Sequence, residues 1–310
     1  MNRHILWSAT AVVFAVAACT GYRGSGAIGV QPDANASGTM SPGSGALLYV
    51  SDANNGLVRM YDYPQLTLAG TLQIGNPEGL CVDNRSRTIW VVSTVYSQIV
   101  EFTHGGTRPI KILKDGVEYP DACAVDTVTG DLAVANVNNQ GSDPGSVSIY
   151  RKSEGKAHLY SDSKIYFMSF LAYDGKGNLF VDGSGPNYPT FRLAELPRGA
   201  STFKELRLTG PQTKNPGGLV YDAGVIAIGD RKRSVIFQTS HGRVTGRTPL
   251  GNACYISQFV IDGRRAIVAN TCGSINNPTG NILIYDYPRG GSPVKQLTGF
   301  AVAFGVAISR

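Results

Sequence analysis

Short apolar runs separated by Gly, Asn, Asp and Pro recur along residues 46–310. Runs of this length between helix-breaking residues predict β-strands and not helices. In one recurring phrase, a turn leads into an apolar strand that ends in Asp, or in Ser in its final copy. The copies end at residues 83, 126, 174, 222, 262 and 309, about 45 residues apart on average. The pattern therefore predicts a repeated all-β unit.

Each repeat contains further strands of different character. A second, almost wholly apolar strand follows each of the first five copies, and a sixth opens the domain at residues 48–52. A third strand alternates apolar and polar residues, as at 58–63, and a ragged fourth strand comes last. Apolar strands are typical of positions covered on both faces, whereas alternation is typical of one solvated face. Four short strands per repeat predict the blade of a β-propeller.

The two ends of the repeat region indicate how many blades there are. The region begins with a second-type strand at Leu47, and residues 302–309 form an innermost strand with nothing after it. If this last strand completes the first blade, six four-stranded blades close into a ring. Tyr-Asp-Tyr-Pro at 61–64 and at 285–288 fits equivalent third strands in blades one and six. We predict this six-bladed, all-β propeller; seven blades or an open array are the alternatives.

The N-terminus has the pattern of an export signal. Arg3 and His4 precede an apolar stretch at residues 5–18, which is too short to span a bilayer as a helix. The stretch ends in Val-Ala-Ala-Cys, which resembles the lipobox of bacterial lipoproteins and implies cleavage after Ala18 and acylation of Cys19. An ordinary signal peptide is the alternative. We predict a signal peptide at 1–18, a flexible Gly- and Ser-rich tether at 19–45 and the propeller at 46–310.

The lipobox also predicts where the protein is located in the cell envelope. Thr20 follows the cysteine where lipoproteins kept at the inner membrane usually have Asp. The resemblance therefore implies an outer-membrane lipoprotein that faces the periplasm or the exterior.

The charge of the chain argues against one class of partner. Lys and Arg number 28 against 22 Asp and Glu, a formal net charge of +6. The surplus is scattered in clusters beside predicted turns, such as 231–233 and 264–265, where we expect the side chains to be solvated. Nucleic-acid binding needs a contiguous basic face with interleaved aromatic residues. We therefore predict no nucleic-acid partner.

One phrase resembles known families. Pro-Glu-Gly-Leu-Cys-Val-Asp at 77–83, together with strands of the Leu-Tyr-Val-Ser-Asp type at 48–52, resembles NHL-type and YVTN-type propellers of exported bacterial proteins. It is also similar to the gluconolactonase/senescence-marker superfamily. The resemblance implies that Pro and Gly set the turn into the inner strand and that the final Asp caps the next hairpin. These motifs are structural, so they imply a fold and hardly a reaction.

Polar residues are predicted to gather at one mouth of the central channel. Glu78 and Asp121 occupy the same place in neighbouring blades, just before the innermost strand. Second strands run back to this face and end in further candidates for binding, namely Asp52, Asn136, Asp230 and Asn270. Such oxygen ligands suit Ca²⁺ or Mg²⁺. The simpler interpretation is that these side chains cap strand ends and accept hydrogen bonds from loop amides.

The resemblance to lactonases sharpens the metal hypothesis and also weakens it. Members of that superfamily bind a metal through Glu-Gly, Asn-Gly and Pro-Asp-Gly phrases. Glu78 matches the first and Asp121 the third, although Ala122 replaces the Gly, and the Asn-Gly phrase is missing. We therefore expect no cofactor, with Ca²⁺ or Mg²⁺ at Glu78 and Asp121 as the alternative.

No other catalytic constellation is evident in the sequence. His104, His158 and His241 fall near predicted outer hairpins, far from the channel, and Gly-x-Ser-x-Gly, Walker and His-Glu-x-x-His phrases are absent. The sequence favours a lipid-anchored platform that binds a protein or a small molecule. A metal-dependent lactonase is the alternative.

Four cysteines remain after Cys19, an even number in an oxidising compartment. Cys254 precedes the inner strand of blade six and Cys272 follows its second strand, so we predict that they pair. Such a disulfide stabilises by about 3 kcal/mol in the chain-entropy model. Cys81 and Cys123 are offset by one position in neighbouring inner strands, which allows either a second disulfide or two buried thiols.

Overall fold

The computed structural model describes residues 45–310 except 117–118, 138–143, 188–189 and 211–212. Its 24 strands form six four-stranded antiparallel sheets, which are the six blades of a ring. The predicted all-β, six-bladed architecture is confirmed. The predicted signal peptide, Cys19 and the tether up to residue 44 lie outside the described residues. None of the helices in the described part is long and apolar enough to cross a membrane.

The strands follow one another in the predicted order of inner, second, third and outer strand. Blade 1 contains β1 (Leu47–Asp52), β2 (Leu57–Asp62) and β3 (Leu68–Gln73). Blade 2 contains β4 (Pro77–Asp83), β5 (Thr88–Ser93), β6 (Gln98–Thr103) and β7 (Pro109–Lys114). Blade 3 contains β8 (Tyr119–Val125), β9 (Leu132–Val137), β10 (Ser146–Tyr150) and β11 (His158–Ser161).

The second half of the chain repeats the arrangement. Blade 4 contains β12 (Phe167–Tyr173), β13 (Leu179–Ser184), β14 (Phe191–Leu196) and β15 (Lys204–Glu205). Blade 5 contains β16 (Pro216–Asp222), β17 (Val225–Asp230), β18 (Val235–Ser240) and β19 (Arg243–Pro249). Blade 6 contains β20 (Ile256–Asp262), β21 (Arg265–Ser274), β22 (Asn277–Asp286) and β23 (Lys295–Phe300), and the chain ends with β24 (Ala303–Ser309).

The ring closes through the last strand. β24 pairs antiparallel with β1, with Leu47 opposite Ser309 and Val50 opposite Val306. β24 is therefore the innermost strand of blade 1, as the sequence predicts. The two Tyr-Asp-Tyr-Pro phrases span the ends of β2 and β22, the third strands of blades 1 and 6, and both contain a cis Tyr–Pro peptide bond.

Apolar side chains of the second strands form the core between neighbouring blades. β1 and β5 are buried at every position. Their side chains pack both ways, with Tyr49 and Val91 in one cluster and Trp90 and Val92 in the next. The outer strands alternate, and Ile110 is 54% exposed on β7. Strands covered on both faces account for the unbroken apolar runs in the sequence.

The inner strands all run the same way through the ring. We call the end where they begin, at Glu78, the upper face and the end where they finish, at Asp83, the lower face. At the lower face, Asp83 accepts a hydrogen bond from the Arg85 N–H at 2.9 Å, and Asp126 accepts one from the Val128 N–H at 2.8 Å. The final Asp therefore caps the hairpin that follows, as the resemblance implies.

The predicted Cys254–Cys272 disulfide is present, and Cys81 and Cys123, for which the sequence left pairing open, also form a disulfide. Cys81 and Cys123 join β4 to β8 between blades 2 and 3. Cys254 and Cys272 close an 18-residue separation at the upper face of blade 6. The first bridge therefore joins two neighbouring inner strands, and the second joins the residues just before β20 to β21 within blade 6.

Candidate binding site

The central channel is obstructed by side chains part-way along its length. Phe170 of blade 4 and Phe304 of blade 1 lie on opposite sides of the ring, and their stacked rings have centroids 6.4 Å apart. Gln258 of β20 bridges to β4, accepting from the Leu80 N–H at 3.0 Å and donating to the Leu80 carbonyl at 2.6 Å. A cavity of about 330 Å³ reaches Gln258 from the lower face. Above these side chains lies a separate polar site.

We call this site the upper mouth. It is formed by Phe170 and by five polar residues from blades 2 to 6, namely Glu78, Asp121, Asp182, Arg231 and Tyr255.

Two carboxyl groups of the upper mouth interact directly. Glu78 and Asp121 are the second residues of the equivalent Pro-Glu and Pro-Asp phrases, and their side chains hydrogen-bond to each other. Burial, followed by the charge of Asp121, raises the pKa of Glu78 well above its usual value. Burial also raises the pKa of Asp121. A hydrogen bond between two carboxyl groups requires a proton, so Glu78 donates and Asp121 accepts.

Arg231 supplies the positive charge of the upper mouth. It follows β17, and its guanidinium carbon lies 5.6 Å from the ring centroid of Phe170 and 4.9 Å from that of Tyr255. Nη1 donates to the Tyr255 hydroxyl at 3.0 Å. Burial lowers the pKa of Arg231, but Tyr255 and the nearby carboxylates outweigh it and raise that pKa. The guanidinium is therefore charged and held between two aromatic faces.

A third carboxyl group lies below Arg231. Asp182 is fully buried in β13 and accepts a hydrogen bond from the Phe170 N–H at 3.0 Å through Oδ1. Burial raises the pKa of Asp182 well above its usual value. Its Oδ2 and the Nε of Arg231 are buried without a hydrogen-bond partner among the described residues. Such unpaired buried atoms are rare in folded proteins and need an explanation.

The four strand-end candidates do not join this cluster. Asp52 accepts from the Ala301 and Val302 N–H groups, and Asp230 accepts from those of Lys214, Lys232 and Arg233. Asn270 accepts from the Cys254 and Tyr255 N–H groups, and Asn136 donates to the Ser146 and Ser148 hydroxyls. All four side chains are wholly buried and hold neighbouring backbone or side chains in place. Asn270 thereby fixes the backbone of Tyr255.

Sequence reasoning missed Phe170 and three of the five polar residues that form the upper mouth. Arg231 was expected to be solvated with its two neighbours, which is wrong, because only Lys232 and Arg233 are exposed. Asp182 had a signal, since it is a carboxylate inside an otherwise apolar strand, Leu-Phe-Val-Asp. Tyr255 had none beyond its place next to Cys254. Arg231 directly follows a strand-end Asp, and this position faces the channel mouth.

The other candidate chemistry is distributed as follows. Among the described residues, no group of three or more His, Cys, Asp and Glu side chains is placed to hold a metal ion. His158 begins the outer strand β11, and His241 lies between β18 and β19, both exposed. His104 follows β6 and bonds to Ser309 at the lower face. His158 and His241 lie on outer hairpins, as predicted, whereas the prediction is wrong for His104, which is buried against the end of the innermost strand β24 because the hairpin after β6 packs on blade 1.

Comparison with solved structures identifies the architecture. A crystal structure described as a nidogen/laminin complex matches with a TM-score of 0.71 at 13% identity, covering 86% of this chain and 99% of that one. The chain is a six-bladed β-propeller. A protein of unknown function from Bacteroides caccae matches with a TM-score of 0.63 at 11% identity, covering 86% of this chain and 100% of that one. These identities are low, so the likeness concerns the fold of the propeller alone.

Sequence comparison adds no family. No protein-family model and no curated protein matches the propeller chain. Its relation to NHL-type propellers or to gluconolactonases therefore stays a prediction.

Proposed function

We propose that this propeller is a lipid-anchored envelope protein whose upper mouth binds a ligand that carries an ammonium group beside a hydrogen-bonding oxygen. One observation carries the proposal: two buried carboxyl groups, a third that is partly buried and the guanidinium of Arg231 are gathered over an aromatic floor. Ionisable groups with shifted pKa values in a concavity are typical of functional sites.

The arrangement of charges in the upper mouth costs free energy of folding. Burying carboxyl groups beside one another is unfavourable unless a proton or a cation compensates. A packed apolar channel would fold without this cost, as it does around Phe304 in blade 1. The upper mouth is therefore better explained by a ligand than by stability.

The carboxyl groups of the upper mouth indicate the charge of the ligand. In the free protein, the proton between Glu78 and Asp121 partly neutralises the pair. A ligand ammonium group can replace this proton and receive hydrogen bonds from both carboxylates, which are strong because donor and acceptor are both charged. Asp182 Oδ2 can accept a further hydrogen from the ligand, and Arg231 Nε can donate to a ligand oxygen. The ligand therefore presents both a cation and an acceptor.

A hydrolase is the second candidate, and the same carboxyl pair bears on it. The direct hydrogen bond brings the two groups closer than the roughly 5 Å that separates the carboxyl groups of retaining glycosidases. Glycoside hydrolysis is therefore disfavoured. Metal-dependent lactone hydrolysis would need Ca²⁺ or Mg²⁺ in place of the shared proton, and the binding experiment distinguishes this case.

The binding experiment compares glucosamine with N-acetylglucosamine, which differ in whether the nitrogen is charged. We expect calorimetric binding of glucosamine with proton release, and a rise in melting temperature equivalent to about 2.7 kcal/mol at a hundredfold excess over Kd. The acetylated sugar should not bind. The Glu78→Gln/Asp121→Asn double variant should lose the effect, and Asp262→Asn at the lower face should keep it.

Two results would contradict the proposed ligand class. Equal binding of both sugars would show that the charged nitrogen is not recognised. A Ca²⁺- or Mg²⁺-dependent rise in melting temperature that Glu78→Gln abolishes would favour the lactonase instead.

The lipid anchor is tested separately. The lipobox supports it, and we expect metabolic labelling with palmitate to require Cys19. When exported behind a cleavable secretory signal, Cys19→Ser should lose the label and appear in the soluble fraction after a high-salt wash. Label that persists in Cys19→Ser, or wild-type protein that is soluble, would show that the lipobox prediction is wrong.

A further inference from the structure

Exposed cations gather on one part of the lower face. Five exposed side chains lie on adjacent hairpins of blades 2, 3 and 4, and we call them the basic patch: Arg85, Arg151, Lys152, Lys176 and Arg198. The sequence suggested that such charges are scattered. The fold brings these five together because the hairpins of successive blades meet at the lower face.

Contacts between the hairpins make the basic patch continuous. Arg85 Nη1 reaches across to the Val128 carbonyl of blade 3 at 3.3 Å. Ser153, next to Lys152, donates to the Gly130 carbonyl at 2.9 Å. In blade 4, Gly177 packs so closely on Arg198 that a Cβ added there would lie 3.2 Å from its Cδ. The cations therefore share one surface and are not isolated.

Most acidic residues of these hairpins are turned inward. Asp126 and Asp174 are buried, and both accept hydrogen bonds from N–H groups of their own hairpins. Asp131 accepts from the Lys152 N–H at 2.8 Å. Glu154 is exposed and pairs with Lys111 at 3.4 Å. Most negative charge is thus used inside the fold, while the positive charge faces the solvent.

The basic patch borders a groove whose edge is charged and whose lining is partly apolar. A groove of about 470 Å³ runs between blades 3 and 4, with Arg151, Lys152 and Arg198 at its edge and Tyr160 and Leu196 among its apolar lining. Val128, at the tip of a hairpin between Arg85 and the groove, is 43% exposed. Cations beside apolar side chains are typical of surfaces that bind anionic lipid headgroups.

The chain also leaves the ring at this face. The Gly45 carbonyl bonds to His104 Nε2 at 3.0 Å, next to Ser309 at the lower end of β24. The tether therefore starts from the same face as the basic patch.

We infer that the basic patch docks the lower face on an anionic phospholipid surface and so directs the upper mouth away from the membrane. The inference rests on the proposed lipid anchor for its proximity to a membrane, since each cation adds only about 1 kcal/mol of attraction to an anionic surface. The lipid anchor keeps the protein close to the membrane, and the basic patch turns its lower face towards the membrane surface.

The test uses the mature chain, residues 19–310, with Cys19→Ser, so that no acyl chain contributes. Co-sedimentation is measured with vesicles of phosphatidylcholine alone and with vesicles of equal parts phosphatidylcholine and phosphatidylglycerol. We expect binding to the anionic vesicles only, weakening as salt is raised. The triple variant Arg151→Gln/Lys152→Gln/Arg198→Gln should bind at least about tenfold more weakly than the parent chain.

A matched variant controls for net charge. Lys114→Gln/Lys214→Gln/Lys232→Gln removes three exposed cations outside the basic patch and should change binding less than twofold. If the patch triple variant has an altered melting temperature, Lys176→Glu alone replaces it. Equal loss in both triple variants, or no binding of the parent chain to anionic vesicles, would overturn the inference.

Two further results distinguish membrane docking by the basic patch from nucleic-acid binding and from the proposed lipid anchor. Tighter binding to a single-stranded oligonucleotide than to anionic vesicles would overturn the membrane assignment. Because the vesicle assay uses a chain without the acyl group, its failure is distinct from failure of palmitate labelling at Cys19.

Discussion

The two ends of the six inner strands differ in how much the repeat varies. At the lower end, Asp stands at the end of five inner strands and Ser at the end of the sixth, and Asp83, Asp126 and Asp174 cap the hairpins that follow them by the same hydrogen bond. At the upper end, the position of Glu78 varies more and is filled in the other blades by Asp121, Ser169, Gly217, Ser257 and Phe304. One end repeats a structural solution, and the other has diverged from it.

The difference between the two ends indicates which of them carries the binding site. A residue that recurs in nearly every blade cannot mark a single site. The varied position places carboxyl groups in blades 2 and 3 alone, while Asp182 of β13 and Arg231 after β17 come from the second strands of blades 4 and 5, which makes the mouth asymmetric. In a propeller, the position that breaks the repeat is therefore the better guide to a ligand.

The largest effect is expected from removing β24, the innermost strand of blade 1, which runs from the upper face to the lower face. Deleting residues 301–310 should make the protein insoluble or lower its melting temperature far more than any point substitution. β1 would lose its inner partner, and the inner edges of blades 2 and 6 would face an open gap. Deleting Arg310 alone is the control. An unchanged melting curve for the long deletion would show that β24 is not the closing strand.

An intermediate test compares one arginine from each end. Arg231→Met removes the cation that faces three carboxyl groups, and we expect it to lower the free energy of unfolding by about 2 kcal/mol, below the full cost of breaking a buried ion pair because Arg231 is only half-buried. Arg85→Met, at the exposed lower hairpin, should change it by less than about 0.5 kcal/mol. Urea unfolding measures both. Equal effects would remove the contrast between the two ends.

The smallest effect is a change in pH dependence. The pKa of Glu78 is raised in the folded protein, so the native state binds its proton more tightly than the unfolded chain does. Stability therefore falls as pH rises above the unfolded value of about 4.3, until Glu78 ionises in the fold. Glu78→Gln should flatten this decline and raise the melting temperature at pH 8 by a few degrees. Asp262→Asn should keep the wild-type slope; a wild-type slope in Glu78→Gln would contradict the raised pKa.

The fold was accessible from the sequence because it depends on repetition. The terminal Asp, the apolar runs of four to six residues and the unpaired strand at each end together predicted six blades and ring closure, and the place of Cys254 and Cys272 in blade six predicted one of the two disulfides. The predicted side-by-side placement of Glu78 and Asp121 was correct for the same reason, since they are equivalent residues in adjacent blades.

The rest of the site was inaccessible because it depends on where side chains converge across the ring. The spacing between Asp182, Arg231 and Tyr255 follows no repeat period, and they meet only because blades 4, 5 and 6 curve round one axis. Arg231 also resembles its solvated neighbours in sequence. Its burial depends on Phe170, a residue more than 60 positions earlier, whose ring lies beneath the guanidinium.

The position of β1 also has a mechanical consequence. β1 is the strand nearest the tether, and it is hydrogen-bonded on one side to β24 and on the other to β2. Tension applied along its axis would have to slide it past both neighbours at once, breaking two ladders in shear. An outer strand such as β3 has one ladder and can be peeled away bond by bond. A pull through the tether is thus carried by one of the strands that is hardest to extract, and the load passes into the ring before any blade opens.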